Sequence, residues 1–138
     1  MLSIGYLIIC EEVIPEKDQI IIRKPLAALT PLNIPGNFSF KVAFSLHNLD
    51  KKDFGEENKV RVIFKEPNGN NVIDTGELQM RTNPDGRPDN ATVEIAEADL
   101  SINNVDLYHK GIYTLILCVN DESKELKVPV IERLKQNG

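Results

Sequence analysis

The sequence predicts an all-β fold, a single antiparallel β-sandwich with eight or nine short strands and at most one short helical turn. Short runs of alternating apolar and polar residues recur along the chain, and turn-forming residues separate them at fairly regular spacing. No long amphipathic helix pattern interrupts this order. The 138 residues suffice for one domain with its own core. We place the sandwich at residues 1–131 and a polar tail at 132–138.

Four strands are predicted in the first half of the chain, at residues 3–10, 19–23, 37–46 and 59–66. The clearest is 37–46, where five apolar residues share one face: Phe38, Phe40, Val42, Phe44 and Leu46. Prolines predict connections at 11–18 and 24–36, because proline fixes φ and cannot donate to a strand ladder. The charged segment 50–58 is predicted to be an exposed loop.

The second half begins with Pro67-Asn68-Gly69, which predicts a hairpin because Asn-Gly accepts positive φ at low cost. The chain then returns through strands at 71–74 and 76–81. Turn-forming residues fill 82–90, and we expect a surface loop there. A strand at 91–96 precedes a mixed segment, 97–109, which has room for at most one helical or 3₁₀ turn. Strands at 111–120 and 124–131 close the domain, and Pro129 in the last one indicates an edge strand or a bulge.

The strongest single pattern is YHKGIYTLILCVND, residues 108–121. Gly111 permits a sharp turn into the strand, and Tyr113 follows two residues later. Three apolar residues then continue a buried alternation: Leu115, Leu117 and Val119. Three residues precede the glycine and lie outside this alternation: Tyr108, His109 and Lys110. We therefore predict that these three form the lip of the strand and are candidates for binding.

This region resembles the end of an immunoglobulin-like or fibronectin-like sandwich. In those folds Gly-x-Tyr opens the penultimate strand, and the tyrosine hydroxyl bonds back to the backbone, an arrangement called the tyrosine corner. The resemblance implies structural roles for Gly111 and Tyr113. Two positions depart from the pattern, since His109 stands where Asp is usual and Leu115 stands where Cys is expected. The absence of Trp excludes an antibody-type core.

Most of the chain is also similar to a loose group of small, uncharacterised bacterial and phage proteins. They share an N-terminal strand, a central strand like SFKVAFSL at 39–46, a hairpin with Pro-Asn-Gly, and a final hairpin like the one that starts at Gly111. That group has no assigned activity. The similarity therefore implies a fold and no reaction.

Composition and charge exclude several partners. The chain carries a net charge of −5 and no dense Lys/Arg run, so no nucleic-acid partner is expected. No stretch approaches the length of a membrane span, and the N-terminal apolar run lacks the features of a secretion signal, so we expect a cytoplasmic protein.

Cys10 and Cys118 both lie in apolar runs and are expected to be buried, reduced thiols. A bridge between them stays open as an alternative.

No catalytic motif, phosphate loop or dinucleotide fingerprint occurs in the sequence. His47 and His109 lie near strand ends, where solvated or capping histidines are common. The carboxylates of 50–57 and 83–90 lack the spacing of a calcium loop and are explained by turn formation. We therefore predict no catalytic residue, no metal and no cofactor.

These observations favour a non-enzymatic protein-binding module of bacterial or phage origin, which acts through loops or an edge strand. One version is a phage-encoded inhibitor or accessory protein that acts on a host complex, and another is a subunit of a larger assembly or phage particle. The predicted binding residues are Tyr108, His109, Lys110, Asp85 and Arg87. Alternatives are a small-molecule or nucleotide-binding protein, with its pocket at a homo-oligomer interface, and an enzyme whose site combines distant carboxylates.

Overall fold

The computed structural model describes residues 2–16, 19–47, 57–81 and 95–133. Within them the chain forms nine strands and no helix, which confirms the all-β prediction. The strands are β1 (Ser3–Glu16), β2 (Gln19–Pro25), β3 (Gly36–His47), β4 (Glu57–Lys65), β5 (Asn71–Asp74), β6 (Leu78–Arg81), β7 (Ile95–Leu107), β8 (Gly111–Val119) and β9 (Glu122–Val130).

The strands form the two layers of an antiparallel sandwich, as predicted. The first sheet has the order β2-β1-β3-β7, and the second has the order β5-β4-β8-β9. β6 also pairs with β4, on the stretch that β5 leaves free. Every pair of these strands is antiparallel. β5 and β7 are edge strands, and the functional site described below lies where they approach each other.

The core fills the space between the two sheets. The predicted alternation in β3 is observed, since Val42, Phe44 and Leu46 are fully buried. They pack with buried residues of the second sheet, including Val62, Phe64, Leu115 and Leu117. Burial of each such side chain contributes about 1.5–3 kcal/mol, so these inner faces supply most of the driving force for the fold.

The connection predicted at 11–18 is wrong over most of its length, because β1 continues to Glu16. Beyond Cys10 this strand leaves β3 and pairs with β2 alone, as a two-stranded hairpin. Pro15 fits there because one edge of the strand needs no hydrogen bond. The hairpin bends over the outer face of the first sheet, where the Ile20 N–H donates to Glu97 of β7 at 3.4 Å.

The prediction of a mixed segment at 97–109 is also wrong, because β7 runs through it as one strand as far as Leu107. Three of its apolar residues lie opposite buried residues of β3: Ala98, Leu100 and Ile102. A β-bulge at Asn103 and Asn104 then shifts the alternation by one residue. That shift hides the period of two on which recognition of a strand from sequence depends.

Several predicted features lie outside the described residues. They are the part of the charged loop at 50–56, the turn-rich loop at 82–90, the first four residues of the strand predicted at 91–96, and residues 134–138 of the tail.

Candidate functional site

A cleft of about 330 Å³ opens where β5 of the second sheet meets the end of β7 of the first sheet. Two segments line it. One is the β4–β5 hairpin, through Glu66 and residues 71–73, and the other contributes Asn104, Asp106 and Tyr108. The cleft therefore joins parts of the chain that are distant in sequence, at the open edge between the two sheets.

A hydrogen-bonded turn fixes the hairpin side of the cleft. The Gly69 N–H donates to the Glu66 carbonyl at 2.9 Å, and the Glu66 N–H donates to the Asn70 carbonyl at 2.9 Å. Gly69 has a φ of 92°, a conformation that glycine adopts at low cost. The Asn70 N–H donates to Asn68 Oδ1 at 3.0 Å. The hairpin predicted from Asn-Gly is confirmed, and its turn holds the Glu66 carboxylate beside the cleft.

A β-bulge sets the other side of the cleft. Asn103 and Asn104 of β7 together oppose Ser39 of β3. Asn104 has a φ of 56°, and its N–H donates to Ser39 Oγ at 2.9 Å. Asn is among the residues that adopt this conformation most readily. The bulge redirects the strand, so that Asp106 and Tyr108 line the cleft while Val105 and Leu107 fill the core.

The three residues predicted to form the lip make different contacts. Tyr108 lines the cleft with 59% of its surface exposed. His109 Nε2 lies 4.0 Å from Glu66 Oε2, at the same cleft. Lys110 Nζ lies 3.6 Å from Glu132 Oε2, away from the residues that line the cleft. The structure thus brings Tyr108 and His109 to one site and places Lys110 outside it.

Tyr113 is buried in the core and holds the backbone of the lip in place. Its buried hydroxyl donates to the His109 carbonyl at 2.7 Å, which is the contact of a tyrosine corner. Its ring stacks on Phe64 with 5.2 Å between the ring centroids. Burial raises the pKa of Tyr113, so the hydroxyl keeps the proton that it donates. Gly111 has a φ of 137°, and a Cβ there would lie 2.8 Å from Pro67 Cγ.

The cleft combines carboxylates, amides, one exposed aromatic ring and the apolar side chains of Val72 and Ile73. Only 11% of the Glu66 side chain is exposed, whereas Asp106 is exposed. The described residues that line the cleft include no Lys or Arg. Carboxylates form strong, charge-assisted hydrogen bonds with guanidinium and ammonium groups, and the face of a tyrosine ring attracts cations. This chemistry favours a cationic group that donates hydrogen bonds.

A second polar cluster lies on the outer face of the first sheet. Gly5 and Tyr6 of β1 oppose Ser45 of β3 in a bulge, and the Tyr6 N–H donates to Ser45 Oγ at 2.9 Å. His47 Nε2 lies 3.1 Å from the same oxygen, and the Tyr6 hydroxyl donates to Glu97. Burial, followed by the Glu97 carboxylate, raises the pKa of Tyr6. Since Ser45 is 1% exposed, this serine–histidine pair satisfies the bulge and is closed to a substrate.

The two cysteines are unpaired, so the alternative of a bridge between them is wrong. Cys10 is buried and packs with Val13 and Ala43 on the outer face of the first sheet, and burial raises the pKa of its thiol. Cys118 is half-buried in the second sheet. In the described part of the chain, no group of three or more His, Cys, Asp or Glu side chains is placed to hold a metal ion.

Two predicted binding residues, Asp85 and Arg87, lie outside the described residues, as do residues 50–56 and 83–90 of the two carboxylate-rich loops. Of the five predicted binding residues, the structure therefore places only Tyr108 and His109 at the cleft.

The sequence interpretation missed four polar residues of the cleft: Glu66, Asn71, Asn104 and Asp106. Glu66 and Asn71 flank the Pro-Asn-Gly turn, at the ends of the strands predicted at 59–66 and 71–74. The pair Asn103-Asn104 was a usable signal for a bulge, because two adjacent Asn residues interrupt an otherwise apolar alternation.

A protein-family model matches residues 5–130, and its description is "Family of unknown function (DUF6941)". The chain belongs to this family. The matched region extends from β1 to the end of β9, so the cleft, the lip and both bulges lie within the part that defines the DUF6941 family. A search of curated proteins found no match. No helix long and apolar enough to cross a membrane occurs among the described residues.

Proposed function

We propose that this chain is a non-enzymatic protein-binding module of bacterial or phage origin, which holds a basic segment of a partner protein in the Tyr108 cleft. The observation that carries the proposal is the exposed Tyr108 ring, which lines the same cleft as the Glu66 and Asp106 carboxylates. Tyr113 bonds to the residue after Tyr108, and the turn at Gly111 packs against Pro67. Tyrosines of this kind often dominate the binding energy of protein interfaces, because a rigid aromatic ring loses little entropy on binding.

The charges of the cleft support a basic partner. An Arg or Lys side chain that lies on the Tyr108 ring would reach the Glu66 and Asp106 carboxylates, which line the same cleft. A hydrogen bond to a charged group contributes about 1.5–3 kcal/mol. A cation over an aromatic ring adds about 0.5–2 kcal/mol, depending on how far it is desolvated. The same carboxylates repel phosphate groups, which weighs against the nucleotide-binding alternative.

A basic partner segment is compatible with two concrete forms of this function. In one the chain is a phage-encoded inhibitor or accessory protein that acts on a host complex in the cytoplasm. In the other it is a subunit of a larger assembly, and the basic segment belongs to a neighbouring subunit. Both forms depend on the same cleft and are tested by the same variant.

The test compares Tyr108→Ala with Ile112→Ala in the full-length chain. Ile112 is a matched control, because 54% of its surface is exposed and it lies on the outer face of the second sheet, away from the cleft. Tagged chains are used to capture partners from native lysate, and each captured protein is then purified and titrated. We expect Tyr108→Ala to weaken binding at least about tenfold and Ile112→Ala to change it less than about twofold. Equal binding by both variants would overturn the proposal.

A further inference from the structure

We propose that β7 is a second binding surface, which accepts an extended strand of a partner protein along Ile95–Ile102. The partner segment alternates basic residues with apolar ones. This surface lies on the other side of the Asn104 bulge from the Tyr108 cleft. Each of the two proposals can fail without the other.

The first observation concerns the side of β7 that faces away from β3. β7 ends the first sheet and pairs with β3 on one side. Among the described residues, no strand pairs with the other side. In an edge strand every second residue directs its N–H and C=O away from the sheet, which makes the edge a template for another strand.

The second step is a comparison with the other edges, which carry features that hinder strand addition. β2 ends in three residues that oppose pairing, Arg23, Lys24 and Pro25, and Lys24 has a φ of 53°. β5 and β6 are four residues long each, and Gly76 with a φ of 66° separates them. Lysine, proline and short length are common means of protecting a sheet edge.

β9 is protected as well. It contains Lys124, Lys127 and Pro129, and the end of the strand is covered by the chain around Leu29. The Leu29 N–H donates to the Pro129 carbonyl at 2.9 Å. From Ile95 to Ile102, by contrast, β7 contains no lysine, no proline and no bulge. It is the longest uninterrupted edge segment among the described strands that lacks these features.

The third step identifies the partner from charge and polarity. Asp99 lies on the outer face of β7, opposite Ala43 of β3. Glu97 lies on the same face, but its carboxylate already accepts from the Tyr6 hydroxyl and the Ile20 N–H, so Asp99 is the carboxylate that remains for a partner. The residues that alternate with these two point towards the core but remain partly exposed: Ala96, Ala98 and Leu100. A strand added here would place its own alternate residues beside these two sets. A basic residue would meet the Asp99 carboxylate, and apolar residues would extend the core.

The same charges disfavour a second copy of this chain as the occupant. Two β7 strands paired antiparallel would bring the carboxylates of both copies together, and like charges on neighbouring strands are destabilising. A basic segment has the opposite effect. We therefore commit to a partner of different sequence.

The experiment uses the isotopically labelled full-length chain and three capped peptides of about eight residues, the usual length of a strand. One alternates valine with lysine, one alternates valine with glutamate, and one is the lysine peptide with N-methylated backbone amides on one edge. Binding is followed by amide chemical shifts and by hydrogen exchange. Asp99→Lys is compared with Asp121→Lys, which makes the same charge change in the exposed turn between β8 and β9.

We expect the lysine peptide to bind at least about tenfold more tightly than the glutamate peptide and to protect amides of Ile95–Ile102. N-methylation should abolish that protection, because it removes the ladder hydrogen bonds. Asp99→Lys should weaken binding at least about fivefold and Asp121→Lys less than about twofold. If Asp99→Lys does not fold, the N-methylated peptide still decides between strand pairing and general charge attraction.

Three results would overturn the proposal. The N-methylated and unmodified peptides could bind equally well. Every amide of Ile95–Ile102 could already exchange slowly in the free chain, which would show that the edge is covered. Finally, the lysine peptide could produce no change along β7.

Discussion

The first sheet contains two bulges, one on each side of β3, and their surroundings differ. Tyr6 lies in a bulge opposite Ser45, and Asn104 lies in a bulge opposite Ser39. In both cases a serine hydroxyl of β3 accepts the displaced amide N–H at 2.9 Å. The first bulge is half-buried around the fully enclosed Ser45, and Tyr6 packs against Cys10 and Val13 of β1, whereas the second bulge is exposed beside the Tyr108 cleft.

A β-bulge therefore has different consequences at the two positions. A buried amide that loses its acceptor costs about 1–3 kcal/mol, whereas an exposed amide regains a partner from water. The bulge at Tyr6 therefore matters mainly for stability. The bulge at Asn104 is exposed to solvent, and it redirects β7 so that Asp106 and Tyr108 line the cleft.

The largest effect is expected from Gly5→Ala. A Cβ at Gly5 would lie 2.2 Å from Ser45 Oγ and 2.4 Å from His47 Nε2, so the serine must turn away and leave the Tyr6 amide unpaired. We expect the free energy of unfolding to fall by about 2–4 kcal/mol in urea titrations followed by circular dichroism.

Gly76→Ala is the matched control for this change. A Cβ at Gly76 would meet no atom within 4 Å, although its φ of 66° is unfavourable for alanine. Its expected cost is about 1 kcal/mol, from backbone strain alone. If Gly5→Ala cost no more than Gly76→Ala, the bulge around Ser45 would not be tightly packed.

The next effect compares the two serines directly. Ser45→Ala should lower the free energy of unfolding by about 1–3 kcal/mol, because it leaves a buried amide without an acceptor. Ser39→Ala removes the equivalent bond at an exposed position and should cost less than about 0.5 kcal/mol. The same unfolding titrations measure both. Equal costs would contradict the distinction between the bulge at Tyr6, which encloses Ser45, and the exposed bulge at Asn104.

A smaller effect is expected from Tyr113→Phe, which removes the hydroxyl that holds the lip. The His109 carbonyl loses its bond, while the ring keeps its stacking on Phe64. We expect the free energy of unfolding to fall by about 1 kcal/mol, the usual net value of one hydrogen bond. An unchanged melting temperature would show that the tyrosine corner contributes nothing to the fold.

Most of the fold was predictable, because it depends on local alternation. In β3 and β8 the apolar residues recur at every second position, and the structure buries them as the pattern indicates. The Asn68-Gly69 turn was likewise readable from two residues. Prediction failed at β7, where Asn103 and Asn104 shift the alternation, and at Pro15, which a strand tolerates once it has a free edge.

The cleft was only half predictable. Tyr108 and His109 were recognisable as residues that stand outside the buried alternation of β8. Glu66 reaches the same site from another sheet, and no local pattern connects it with Asp106. Such a site depends on how the two sheet edges approach each other, which is a property of the tertiary structure.

The measurement that tests the central claim most directly is the affinity of a captured partner for Tyr108→Ala and Tyr113→Phe, at a temperature where both variants are folded. The account predicts at least about a tenfold loss for Tyr108→Ala, with an unchanged melting temperature. For Tyr113→Phe it predicts a lower melting temperature and an affinity within about twofold of the unaltered chain. A partner that tolerates Tyr108→Ala but is lost with Tyr113→Phe, below its melting temperature, would contradict the account.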